Sequence, residues 1–280
     1  SRVVVVTDRV PEILTLYPEP GHVIEPLDAI AAEPRPAPTD RPWVMTNMIA
    51  SLDGATAVDG LSGGLGGPAD LRVFLGLRAI CDLIIVGAAT AISETYRPPL
   101  PAPEVRIRRS ARGQSERPRI AVVTRRLSIS SDHPLFSDSS YRPIIVTTET
   151  APPEERERLI EIADFVIAGE DSVDLGDALH QLTDFGVALL EGGPSLNAQF
   201  VSADLIDEWN LTTAPLLVGG ASKRAATGMA PEFPMRFDLD RLWSGDGLLF
   251  GRWLRGERPD QPPLSQATEP GVATSPTLSR

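Results

Sequence analysis

Three places in this 280-residue chain put small or cationic residues where a short apolar run ends: Gly87-Ala88-Ala89-Thr90, Thr124-Arg125-Arg126 and Glu191-Gly192-Gly193-Pro194-Ser195. Glycine lets a ligand approach the backbone, proline suits a first helical turn because it has no N–H to waste, and the unpaired N–H groups of that turn attract phosphate. No lysine stands beside Gly192-Gly193 to mark a phosphate loop, so the backbone itself would do the holding. Together the turns predict a ligand with several phosphates, a nucleotide. Taken singly, each is also what an ordinary strand-to-helix connection looks like.

Two further motifs match only on paper. Gly60-Leu61-Ser62-Gly63-Gly64 fits the G-x-S-x-G serine-hydrolase elbow, with His133 or His180 as the base it would need. That elbow requires a strand directly before it and a helix directly after, and ATAVD and LGGP supply neither. Gly64-Leu65-Gly66-Gly67-Pro68-Ala69 fits the dinucleotide pattern G-x-G-x-x-A, again without the buried strand that should precede it. Residues 60–67 read as a flexible glycine-rich loop, either a lid over a site or a plain surface connection. His22, His133 and His180 lack ligand spacing, and no metal site is expected.

The elements that must position these turns follow from the alternation of apolar runs with helical patterns. Strands are predicted at 43–50, 83–86, 120–124, 144–148, 165–168, 187–191, 207–213 and 248–253. Helices are predicted at 70–80, 89–94, 153–162, 175–185 and 195–203. The order implies an α/β fold with a mostly parallel central sheet flanked by helices, in which ligands gather at the carboxyl ends of strands.

Length and a 42% hydrophobic content suffice for a sizeable core. A formal charge of -12 argues against sequence-independent nucleic-acid binding, so an anionic ligand must be met by particular arginines or N–H groups. The single cysteine, Cys81, excludes an internal disulfide framework and fits a reducing cytoplasm. No apolar run approaches the roughly 20 residues of a membrane span, and SRVVVVTDRVPEIL does not read as an export signal, so no membrane association is expected. Proline-rich AEPRPAPTDRP makes residues 1–40 an N-terminal extension and linker, residues 41–255 the functional domain, and residues 256–280 a disordered tail. Residues 102–118, with RIRRSARGQSERP, read as an exposed basic loop.

Four stretches carry a family resemblance: RPWVMTNMIASLDGATA (41–57), the helix ending in Leu77-Arg78-Ala79, DLIIVGAATAISE (82–94), and GVALLEGGPSLNAQFVSADLIDEWNLTTAPLLVGG (186–220). They resemble the riboflavin-biosynthesis pyrimidine reductases, whose fold is similar to dihydrofolate reductase. The resemblance implies NADPH as hydride donor, a small heterocyclic substrate and a homodimer. It makes Ala50, Gly87, Ala88, Ala89, Thr90, Glu94, Gly192, Gly193, Pro194, Ser195, Leu196 and Asn197 cofactor contacts. Thr124 and Arg125 stand where this fold holds the adenosine 2′-phosphate, and an arginine there favours NADP over NAD. Asn47, Ser62, Arg78 and Glu191 become substrate-facing, with Ser51 and Asp53 shaping the exit of the first strand.

A second likeness, Gly67-Pro68-Ala69-Asp70-Leu71-Arg72-Val73-Phe74, is to the segment of bacterial dihydrofolate reductases whose aspartate binds a pterin and assists its protonation. Asp70 and Glu191 are accordingly the expected catalytic carboxylates, and Asp70 also suits a first helical turn on dipole grounds alone. The chain departs from the family in several positions. It has no H-x-E with P-C-x-x-C, so no deaminase is expected in these residues. Asn47 stands where many members have lysine, Gly64 where many have tryptophan, and Ser93-Glu94-Thr95-Tyr96-Arg97-Pro98 replaces an acidic-acidic-proline turn, leaving Arg97 as the phosphate contact. The expected substrate is 5-amino-6-(5-phosphoribosylamino)uracil, with dihydrofolate or another pterin as the alternative and a non-catalytic nucleotide-binding protein as the third reading.

Overall fold

The structure is a computed structural model and describes residues 10–256. In chain order its strands are β1 (Ile13–Tyr17), β2 (Val23–Ile24), β3 (Trp43–Ser51), β4 (Leu83–Gly87), β5 (Arg119–Val123), β6 (Ile144–Thr147), β7 (Asp164–Ile167), β8 (Val187–Gly192), β9 (Glu208–Ala214), β10 (Phe237–Gly245) and β11 (Leu248–Arg255). Its helices are α1 (Pro26–Ala32), α2 (Pro68–Ile80), α3 (Ala88–Ser93), α4 (Pro103–Ala111), α5 (Pro153–Leu159), α6 (Leu175–His180) and α7 (Pro194–Ser202). All the strands join one sheet in the order β2-β1-β10-β11-β9-β3-β8-β4-β5-β6-β7. From β9 to β7 the neighbours run parallel, and β9, β11, β10, β1 and β2 pair antiparallel.

The parallel strands are apolar at consecutive positions because both of their faces are covered. Ile84 and Val86 of β4 point with Met45 and Leu189 into a core shared with Val73, Leu77 and Ile80 of α2. Leu83 and Ile85 point the other way, with Val44 and Leu190, toward Leu179 of α6 and Leu196 and Phe200 of α7. This two-sided core holds the carboxyl ends of β3, β4, β5 and β8 in line.

The predicted parallel strands are all present, and the differences lie elsewhere. Residues expected to form a loose extension and linker belong to the sheet and its covering layer: β1 pairs with β10, and Ile13 and Ile30 are fully buried. The proline-rich stretch is held by charge, Arg35 to Glu208 at 2.9 Å and Arg41 to Asp207 at 2.6 and 2.8 Å, which composition does not reveal. The expected basic loop contains α4, whose Arg109 is buried and donates to the carbonyls of Ala79 (3.1 Å) and Cys81 (2.6 Å) at the end of α2. That arginine satisfies orphan carbonyls of a helix terminus rather than facing solvent. The tail expected at 256–280 lies, beyond Gly256, outside the described residues.

Candidate active site

An open cleft of about 1810 Å³ runs along the carboxyl ends of β3, β4, β5 and β8. One wall is the set of turns singled out by composition. Gly87, Ala88, Ala89 and Thr90 at the start of α3, Thr124 and Arg125 after β5, and Gly193, Pro194, Ser195, Leu196 and Asn197 at the start of α7 all line it. The turns approach one another closely: a Cβ on Gly193 would come within 2.5 Å of Thr90 Oγ1, so a side chain there would require Thr90 to turn away. Gly192 has φ +88, a left-handed conformation suited to glycine, and this turns the chain out of β8 into α7. Gly192 and Ala50 themselves are buried and stand behind the wall, because their strand positions pack against Asn197 and pair with Thr213 respectively.

Asn197 is fully buried, yet its side chain is only half satisfied. Its Nδ2 donates to the Ala225 carbonyl at 2.6 Å, while Oδ1 has no partner. A buried acceptor without a donor costs about 1–3 kcal/mol. Arg125 and Arg97 are exposed on the cleft and have no hydrogen-bond or ion-pair partner among the described residues.

The opposite wall is α2. Arg78 reaches from its last turn to Glu191 at the end of β8, Nε to Oε1 and an Nη to Oε2, both at 2.7 Å. Tyr96 adds its hydroxyl to Glu191 Oε2 at 2.5 Å. The guanidinium also lies over the Phe74 ring at 4.3 Å and the Tyr96 ring at 5.5 Å. Burial alone would lower the Arg78 pKa, but the charge and hydrogen bonds of Glu191 outweigh it and raise it. Burial, reinforced by the neighbouring carboxylate, pushes the Tyr96 phenol well up. Arg78 thus stays a cation and Tyr96 a neutral donor.

Asp70 sits one turn above Phe74 on the same helix. Its Oδ1 accepts from Thr212 Oγ1 at 2.8 Å, and its Oδ2 lies where a Cβ on Gly66 would be only 2.6 Å away. Burial raises the Asp70 pKa against the opposing effect of the Thr212 hydroxyl. The carboxyl therefore keeps a proton to higher pH than an exposed aspartate would. Asn47 lines the cleft from β3. Ser62 belongs to a short turn, Ser62–Gly64, and its N–H and hydroxyl both donate to Glu94 (3.3 and 3.0 Å), so the glycine loop is fastened across the mouth. Ser62 has a carboxylate for company and no histidine: His133 Nδ1 accepts from the Leu135 N–H, and His180 Nδ1 faces the Asp40 carbonyl. The hydrolase motif therefore has no base.

Ser51 and Asp53 shape the exit of β3 as expected. Ser51 donates to Asp53 at 2.5 Å, and the same carboxylate accepts the N–H groups of Val218 (3.1 Å) and Gly219 (2.6 Å), fastening the segment after β9 over the cleft. The Ser51 hydroxyl and then those N–H groups hold Asp53 down at about 2. Sequence reasoning did not find Tyr96 as a ligand of Glu191 or Thr212 as a ligand of Asp70. Neither has a local signal, since their partners are 95 and 142 residues away.

Residues 42–246 match the sequence model of the RibD C-terminal domain. The chain belongs to this family. Among relatives, the 2,5-diamino-6-ribosylamino-4(3H)-pyrimidinone 5′-phosphate reductase of Methanothermobacter thermautotrophicus is 32% identical over 186 residues, 66% of this chain and 82% of that protein. The reductase of the same name from Archaeoglobus fulgidus is 30% identical over 183 residues, 64% of this chain and 83% of that protein. A pyrimidine reductase-like protein from Corynebacterium diphtheriae superposes with a TM-score of 0.74 at 25% identity, over 84% of this chain and 100% of that one. The expected α/β fold, the pyrimidine-reductase family and its reaction class, oxidoreduction, are borne out. No helix among the described residues is long and apolar enough to cross a membrane.

Proposed function

We propose that this RibD C-terminal domain protein is an NADPH-dependent reductase of 2,5-diamino-6-ribosylamino-4(3H)-pyrimidinone 5′-phosphate, the substrate its archaeal relatives are named for. The observation that carries the reading is one cleft holding both a glycine-built turn at a helix N-terminus and two hydrogen-bonded carboxyls, the half-buried Asp70 and Glu191.

The residues present suit the cofactor. First-turn N–H groups of α7 offer donors for a diphosphate, the glycines leave the backbone open to approach, and the orphaned Asn197 Oδ1 would accept from a ribose hydroxyl or a carboxamide N–H. Arg125, free beside Thr124, would meet the 2′-phosphate that distinguishes NADPH from NADH. The cofactor supplies a hydride, and the acceptor is the imine carbon of the ring-opened ribosylamino group.

The remaining work falls to the chain's own side chains. Glu191, fixed by Arg78 and Tyr96, presents its carboxylate beside the α7 turn and orients the polar edge of the substrate. Asp70, whose pKa burial raises above the ordinary aspartate value, would give its proton to the imine nitrogen, so that one hydride and one proton convert C=N to CH–NH. Arg97 meets the sugar phosphate. The deaminated uracil counterpart is the competing substrate, and turnover of each with NADPH, followed by loss of its absorbance, separates the two.

The proposal includes a homodimer. Around the antiparallel half, Trp209, Leu211, Leu242, Leu249 and Trp253 fall on one sheet face, and Leu249 is 38% exposed. An apolar sheet face of this kind marks an interaction surface. A cytoplasmic location belongs to the same reading, consistent with NADPH chemistry and the free buried thiol of Cys81.

A further inference from the structure

Of the 26 lysines and arginines in the chain, one is lysine: Lys223. It lies in the segment after β9, lines the cleft, and its ammonium has no hydrogen-bond or ion-pair partner among the described residues. Most arginines here are engaged in ion pairs or bonded to carbonyls. A cation left free at the cleft, in a protein of net charge -12, needs a separate account.

The backbone that carries Lys223 is fastened at both ends. Toward β3, the Lys223 carbonyl accepts from Thr56 N–H (3.3 Å) and Thr56 Oγ1 (2.8 Å), and Ser222 Oγ accepts from the N–H groups of Thr56 (3.2 Å) and Ala57 (3.3 Å). Toward α7, the Ala225 carbonyl takes Asn197 Nδ2 at 2.6 Å, and Thr227 N–H donates to the Pro194 carbonyl at 3.0 Å. Two residues from Lys223 the strap is thus bonded to the first turns of α7, beside the buried, unpartnered Asn197 Oδ1. The neighbouring Arg224 does not line the cleft.

We infer that Lys223 is a further cofactor-binding residue: its ammonium closes over the start of α7 and binds the diphosphate held there by backbone N–H groups. The inference rests on the NADPH reading above and adds a ligand to it. A compact ammonium with three rotatable donors can bind a diphosphate as a point charge, the way a P-loop lysine does. Arg125 would select for the 2′-phosphate, and Lys223 would serve any cofactor with the diphosphate.

The single lysine makes a direct test available. Reductive methylation of the full chain, read by mass spectrometry on the peptide containing Lys223, is compared without ligand, with NADPH, with NADH, with inorganic pyrophosphate and with ribose 5-phosphate. NADPH, NADH and pyrophosphate are expected to slow modification several-fold, and ribose 5-phosphate is not. In parallel, Lys223→Ala should weaken NADPH and NADH alike, by about tenfold, the loss of one charged hydrogen bond, and Lys223→Arg should recover part of it. Protection by ribose 5-phosphate instead, or a loss confined to NADPH in Lys223→Ala, would assign the lysine to another phosphate and overturn the inference. Unchanged labelling with NADPH bound to the wild-type protein would overturn it while leaving the reductase reading intact. Failure of the wild type to bind NADPH would remove both.

Discussion

Arg78 and Glu191 meet across the cleft through two parallel hydrogen bonds of 2.7 Å, although 113 residues separate them in the chain. The pair links the end of α2 to the end of β8, so the wall that faces substrate is fixed to the strand that leads into the cofactor turn. The Glu191 side chain is only 4% exposed and that of Arg78 25%, so neither charge can be left alone cheaply.

Removing the cation therefore tests the pair as structure. Arg78→Ala leaves a buried carboxylate with the Tyr96 hydroxyl as its remaining partner, and the expected loss of stability is about 3 kcal/mol. Tyr96→Phe removes one hydrogen bond and should cost about 1 kcal/mol. Denaturant unfolding of the three proteins checks the order, and equal stability of Arg78→Ala and wild type would mean that the pair contributes nothing net.

Asp70 gives a prediction about proton transfer. Asp70→Asn should lower turnover by roughly a hundredfold while NADPH affinity stays near that of the wild type. Because the folded pKa of Asp70 is raised, the protonated acid is lost as pH rises through that value, and the rate should fall with it. Stability has the same sign. The favourable contribution of the protonated group is present below the ordinary aspartate range and fades as pH rises through the raised folded value. At neutral pH Asp70→Asn is therefore expected to be at least as stable as wild type, which thermal unfolding across pH would check.

Arg125 bears on cofactor choice. Arg125→Ala should weaken NADPH by about tenfold and leave NADH nearly unchanged, as expected for one charge-assisted contact to a 2′-phosphate. Equal losses for both nucleotides, measured by fluorescence titration, would place the 2′-phosphate elsewhere.

The apolar sheet face predicts assembly. Leu249→Lys puts a charge in the middle of the face formed with Leu211 and Trp253, at a position exposed enough to tolerate it in a monomer. Sedimentation should show a dimer for the wild type and a monomer for the variant, and a monomeric wild type would refute the interface.

The sequence was most legible where one physical signal dominated. Leu83–Val86 and Ala188–Leu190 are buried on both faces and so appear as unbroken apolar runs, and the turns that follow them declare themselves by glycine and proline. The antiparallel half was harder. FDLDRLWSG of β10 places Asp240 and Arg241 among apolar residues because those charges are paired, Arg252 with Asp240 at 2.7 Å and Arg241 with Glu33, and a strand that carries charge reads as loop. The site shows the same division. Glycine-built turns can be found from local spacing, whereas Tyr96 on Glu191, Thr212 on Asp70 and Lys223 near α7 are brought to their places only by folding.

The central claim is a reduction. Purified protein mixed with NADPH and 2,5-diamino-6-ribosylamino-4(3H)-pyrimidinone 5′-phosphate should consume NADPH in equimolar amount to substrate and yield the ribitylamino product, with the uracil counterpart turned over more slowly. No oxidation of NADPH with either pyrimidine, or oxidation with dihydrofolate alone, would contradict it.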